Sequence, residues 1–183
     1  MPPKQSQTTR LPRRRLLAMT ANYMIILGID PGTTRIGFGV ISEKSGKLSL
    51  IDYGVIESAS KQKISDSILE NCKKLSKIIK KYKPEAAGIE KIFFSKNIKT
   101  GIDVAQSRGA LILELAKADV KITELSPSEI KSSVTGYGLA DKRSVSKVAA
   151  MILGVKDGLK GYDDASDAVA IAIATAFSKK FGE

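Results

Sequence analysis

Met24-Ile25-Ile26-Leu27-Gly28-Ile29-Asp30-Pro31-Gly32-Thr33-Thr34 carries an apolar run straight into one carboxylate and then into a turn. The aliphatic and β-branched residues ahead of Asp30 read as a buried strand, and Pro31-Gly32 ends it at once. A second strand is expected over 36–42, which puts Asp30 at the rim of a sheet. An acid there is either a strand cap or part of a site.

The 183 residues suit one domain with a single substantial core. No stretch approaches the roughly 18 consecutive apolar residues that a bilayer span requires, so the chain reads as soluble; a cytoplasmic location and no membrane partner are the expectation. Thirty basic against 19 acidic residues give a formal charge of +11. That excess favours a polyanionic partner, because each phosphate neutralised by Lys or Arg releases counterions. Charge alone does not separate DNA from RNA or from an acidic membrane surface.

The sequence has one Cys and no His. An internal disulfide, a cysteine zinc cluster, histidine-ligated zinc and catalysis by Ser-His-Asp or Cys-His are thereby excluded. Hydrolysis near neutral pH then needs another source of nucleophile, and water on a carboxylate-held metal is the obvious route. Cys72 falls in a helical pattern and reads as a small core residue.

Residues 1–23 form a basic segment with Lys4, Arg10, Arg13, Arg14 and Arg15, no acid and three prolines. This is the composition of a disordered arm. No adequate apolar stretch follows the arginines, which argues against an export signal, and Met24 is an alternative start. The domain proper is expected over 24–183. Strands over 24–30, 36–42 and 47–57 suggest an antiparallel meander. Ile64, Ile68, Leu75, Ile78, Ile79 and Tyr82 recur with helical period until Lys83-Pro84 stops them. Further strands are expected at 86–90 and 120–125. Further helices are expected at 98–118, from Ser126-Pro127, from Asp141 or Ser144 to Leu153, and at 164–178. The order implies an α/β domain with a five-stranded mixed sheet flanked by helices.

Three places offer acids to a metal. Asp30 ends the first strand and Glu90 the fourth, while Asp164 and Asp167 stand three residues apart on one face of the last helix. The rest of that helix is nearly all apolar, so its N-terminus is fixed against the sheet. Helix N-termini favour negative charge. Convergence would still be costly, since each like pair at about 4 Å costs on the order of 4 kcal/mol at an effective dielectric near 20. One or two divalent ions would remove that cost, and oxygen-only ligands favour Mg²⁺ or Mn²⁺ over zinc. Each acid taken singly is also explained as a helix cap or a strand end.

Ile26-Leu27-Gly28-Ile29-Asp30-Pro31-Gly32, Ile89-Glu90-Lys91-Ile92-Phe93-Phe94, Ala105-Gln106-Ser107-Arg108-Gly109 and Asp164-Ala165-Ser166-Asp167-Ala168-Val169-Ala170-Ile171-Ala172 stand in the order seen in the bacterial RuvC family. The chain resembles these Holliday-junction resolvases from Met24 to about Phe177. The resemblance implies a ribonuclease H-like fold and a homodimer. It also implies a four-acid catalytic and metal-binding site, carried here by Asp30, Glu90, Asp164 and Asp167. The activity implied is Mg²⁺-dependent cleavage (Mn²⁺ substituting), with two ions per site, resolving four-way DNA junctions by paired nicks in recombination and repair. The products carry 5′-phosphate and 3′-hydroxyl ends. A branch-migration motor, RuvA and RuvB, is the implied protein partner.

Phe93 and Phe94 follow Glu90 among polar residues, and one of two successive residues usually faces away from the core. An exposed aromatic beside a basic loop suits stacking on a distorted base; the alternative is that both are core. By resemblance Phe93 is the wedge at the junction centre. The segment from Lys131 to Arg143 mixes glycines, hydroxyls and bases between two helices, as a phosphate-binding surface or a solvated loop would. The resemblance assigns Lys131 and Lys142 to DNA near the scissile strand and suggests a backbone contact for Arg108. Other readings are a YqgF-type RNA-processing nuclease of the same fold, a junction-binding protein without catalysis, and an actin-like ATPase. The last would need a second lobe and a second phosphate motif.

Overall fold

A computed structural model of the chain describes residues 23–59, 62–92 and 98–178. The expected basic arm, Tyr23 apart, lies outside them, and so do Phe93 and Phe94. Among the described residues ten elements follow in order: β1 (Met24–Asp30), β2 (Arg35–Lys44), β3 (Lys47–Glu57), α1 (Ile64–Tyr82), β4 (Ala86–Glu90), α2 (Ile98–Ala116), β5 (Lys121–Leu125), α3 (Pro127–Thr135), α4 (Lys142–Ile152) and α5 (Asp163–Phe177). The strands form one sheet in the order β3-β2-β1-β4-β5. β1, β2 and β3 pair antiparallel, whereas β4 joins β1, and β5 joins β4, in parallel.

β2 runs longer than the 36–42 expected. Ser45 and Gly46 both take positive φ (52° and 81°), the geometry of a tight primed turn, so pairing continues to Lys44↔Lys47. Lys83 takes the left-handed conformation that closes α1, its N–H bonding the Ile79 carbonyl, and Pro84 prevents continuation.

Period-two alternation sends β1 to two different cores. Leu27 and Ile29 join Ile36, Val40 and Ile89 against Leu75 and Ile79 of α1 and Leu111 and Leu115 of α2. Ile26 joins Ile41 and Ala86 on the opposite face, beneath α3, α4 and α5. Residues 165 and 168–175 of α5 are all buried, so the helix is enclosed by the sheet below and α3 and α4 above. Glycines on the strands permit its approach. A Cβ on Gly28 would collide with the Ala168 carbonyl, and one on Gly88 with the Thr175 hydroxyl. Asp30 and Glu90 share this face with Gly28 and Gly88, which aims both acids toward the start of α5. Among the described residues no helix is long and apolar enough to cross a membrane.

Candidate active site

Parallel pairing of β1 with β4 runs through Ile29↔Ile89, so the next residue on each strand, Asp30 and Glu90, ends its strand at the same level. Adjacent strands lie only about 4.8 Å apart. The third acid comes from above: Asp167, one turn into α5. Two cations complete the cluster. Asp141 caps α4 by accepting the Ser144 N–H at 2.8 Å, which places Lys142 at the first helical position. Ser126 and Glu129 form a reciprocal capping box with Pro127 at the first turn of α3, fixing the helix that bears Lys131. Asp30, Glu90, Asp167, Lys131 and Lys142 line one cleft of about 290 Å³, closed elsewhere by apolar side chains of α3, α4 and α5.

The electrostatics of the cleft are those of crowded acids. Asp30 is pushed from an ordinary 3.8 up to about 7, first by burial and then by Glu90, Asp167 and Asp164, with Lys142 opposing the rise. Glu90 is also raised, by burial and then Asp167, against the pull of Lys142 and Lys131. Lys142 donates to Asp167 Oδ2 at 2.7 Å, and that bond raises the lysine above its usual value. Asp164 lies outside the cleft lining. Its Oδ2 faces Arg35 Nη1 at 3.6 Å.

The residue pattern of one protein family, crossover junction endodeoxyribonuclease RuvC, matches residues 26–175, from β1 almost to the end of α5. The chain belongs to the RuvC family. Among family members, the protein of Ruminiclostridium cellulolyticum is 40% identical over 87% of this chain and 95% of its own length. That of Prochlorococcus marinus is 44% identical over 85% of this chain and all of its own length. The fold is ribonuclease H-like. The structure of Thermus thermophilus RuvC in complex with Holliday junction substrate superposes with a TM-score of 0.80 at 28% identity, covering 87% of this chain and 96% of that one. The yeast mitochondrial Holliday junction resolvase Ydc2, at 15% identity and a TM-score of 0.60, shares the fold.

In this RuvC-family chain the expected site residues divide into groups. Asp30, Glu90, Asp167, Lys131 and Lys142 come together; Asp164 stands on the adjoining turn; Phe93 lies outside the described residues. Arg108 turns inward, its Nε donating to the Glu90 carbonyl at 2.8 Å while the other end of the guanidinium pairs with Glu124. It thereby ties the end of β4 to β5. Three residues that fasten the site were assigned no role of their own from the sequence, although Ser107 stands within the family-like stretch 105–109. Asn71 donates to the Thr33 carbonyl at 2.9 Å and Ser107 to the Gly32 carbonyl at 2.7 Å, pinning the turn after Asp30 from α1 and α2. The signal for Asn71 was its spacing, because Ser67, Asn71, Leu75 and Ile79 form one buried row at intervals of four. The third, Arg35, follows that turn directly.

The donor set fits a hard divalent cation. Its donors are carboxylate oxygens, and burial first, then their mutual repulsion, holds Asp30 near 7. Among the described residues no three acidic side chains are gathered tightly enough to form a metal site as they stand. Lys142 engages Asp167, and Arg35 faces Asp164.

Proposed function

We propose that this chain is a structure-selective endodeoxyribonuclease that resolves four-way DNA junctions by paired, metal-dependent nicks. The observation that carries the reading is the convergence of Asp30, Glu90 and Asp167 with Lys131 and Lys142 in one cleft of a RuvC-family chain.

In this reading Asp30, Glu90 and Asp167, joined by Asp164, hold Mg²⁺, with Mn²⁺ substituting and two ions per site. Such ions supply neutralising charge, an acidified water and stabilisation of the departing oxygen. The protein's own groups do the rest. Lys131 and Lys142 draw a backbone phosphate over the acids, and Lys142, kept protonated by its raised pKa, faces the charge that builds on the phosphoryl oxygens. The enclosing α3 and α4 hold both lysines at fixed height. Water adds to phosphorus in line, the bond to the 3′ oxygen breaks, and that oxygen takes up a proton. The ends are 5′-phosphate and 3′-hydroxyl.

A four-way junction has near two-fold symmetry, which a homodimer with two such sites would match. Association with a branch-migration motor and a cytoplasmic location, beside the chromosome, belong to the same reading. Phe93, three residues after Glu90 in sequence, is the wedge for the junction centre, and residues 1–23 are a basic arm.

The test is cleavage of a synthetic four-way junction in Mg²⁺, beside duplex DNA and structured RNA. Paired nicks in the junction, absent with EDTA, are expected. Preferential cutting of RNA, or junction binding with no cutting in any divalent ion, would overturn the reading.

A further inference from the structure

Arg35 begins β2, and its neighbours two and four residues on, Gly37 and Gly39, lie on the sheet face that packs against α5. A Cβ on Gly37 would strike the Asp164 carbonyl, and one on Gly39 would crowd the Val169 backbone. Alternation along the strand sends the Arg35 side chain to the same face, up against the first turn of α5. Three contacts result. Its Nε donates to Glu57 Oε1 at 3.0 Å, the residue directly across the β2–β3 ladder. Its guanidinium carbon lies 4.2 Å from the centre of the Tyr162 ring, the residue that caps α5. Its Nη1 stands 3.6 Å from Asp164 Oδ2.

These contacts differ in strength. The Glu57 bond is a charge-assisted hydrogen bond and the Tyr162 stack a cation–π contact, so together they fix the guanidinium plane. At 3.6 Å the Asp164 contact is an ion pair beyond good hydrogen-bond length. It is the one of the three that can be given up while the arginine stays in place. Meanwhile Asp164 is the acid that the cleft of Asp30, Glu90 and Asp167 leaves out.

We propose that Arg35 is a latch for Asp164: anchored on Glu57 and Tyr162, it holds this carboxylate outside the cleft until a divalent cation draws it in. The inference rests on the reading of the cleft as a metal centre. Arg35 is then a positioning residue, and its charge sets a threshold for filling the site.

The test is calorimetric titration of the DNA-free protein with Mn²⁺ at neutral pH, comparing wild type with Arg35→Met and Arg35→Lys. Removal of a competing charge at this range should tighten Mn²⁺ binding about three- to tenfold in Arg35→Met. Arg35→Lys, which keeps the charge, should return most of the way to wild type. Tyr162→Leu, which loosens one anchor and leaves the charge, should shift the affinity less than Arg35→Met. Unchanged or weaker Mn²⁺ binding in a folded Arg35→Met protein would overturn the latch. Failure of the metal-centre reading would look different: Mn²⁺ binding would then survive Asp167→Asn in the wild-type background.

Discussion

Lys142 Nζ stands 2.7 Å from Asp167 Oδ2, joining the first residue of α4 to the second turn of α5 across the mouth of the acid cleft. The same ammonium opposes the rise of both Asp30 and Glu90. One lysine therefore serves as counter-charge to the acids, and it is also the cation best placed to meet a phosphate brought over them.

Lys142→Met should separate binding from chemistry. The rate of junction nicking under single-turnover conditions should fall at least about 100-fold, the usual cost of losing a group that stabilises transition-state charge. Junction affinity measured in Ca²⁺ should change less than about tenfold. A large loss of affinity with a normal rate for bound junction would make Lys142 a docking contact only.

Asp30 predicts a pH dependence of the metal-free protein. Its carboxyl takes up its proton more readily when folded, near 7 against an ordinary 3.8. The folded state therefore binds more protons than the unfolded state between those values, and stability falls as pH rises through about 7. The full effect is on the order of 4 kcal/mol. In EDTA, Asp30→Asn should raise the melting temperature clearly at pH 8 and little at pH 4. Equal effects at both pH values would show that burial and the neighbouring acids do not raise Asp30.

Gly28→Ala should be costly although the change is one methyl group. The new Cβ would meet the Ala168 carbonyl and the Ala172 backbone, so α5 must lift from the sheet. A loss of about 3 kcal/mol is expected from overpacking of this kind, read as the shift in the urea midpoint. An unchanged midpoint would mean that α5 lies less tightly on β1 than described.

Much of this was legible in the residues. β1 and the meander followed from apolar runs broken by Pro31-Gly32 and short glycine turns, and α5 followed from its unbroken apolar length behind two acids. Ser126-Pro127 and Asp141 announced α3 and α4, because capping is a local matter of one side chain and one N–H. The level alignment of Asp30 with Glu90 was not legible, since the parallel register of β1 with β4 depends on how α1 crosses between them. The diversion of Asp164 to Arg35 was hidden for the same reason. Residues 35, 57, 162 and 164 are joined only when β2, β3 and α5 have packed, and spacing along the chain carries no trace of that. Asn71 lay between: its place in a helical row was readable, its partner on Thr33 was not.

Arg108 tests the difference between a DNA contact and a brace. Its guanidinium is occupied by the Glu90 carbonyl and by Glu124, so Arg108→Met should lower stability by about 2 kcal/mol, as loss of charged hydrogen bonds does. The slope of log junction affinity against log salt should stay as it is. A slope smaller by about one would identify Arg108 as a phosphate contact.

The most direct measurement is the rate of junction nicking by Asp167→Asn in Mg²⁺, taken with its junction affinity in the same buffer. The substitution keeps the side chain's size and removes the negative charge on which both the cation and Lys142 depend. Nicking should fall at least about 1000-fold with affinity within about threefold of wild type. A variant that cuts the junction at the wild-type rate would contradict the assignment of this cleft as the catalytic centre.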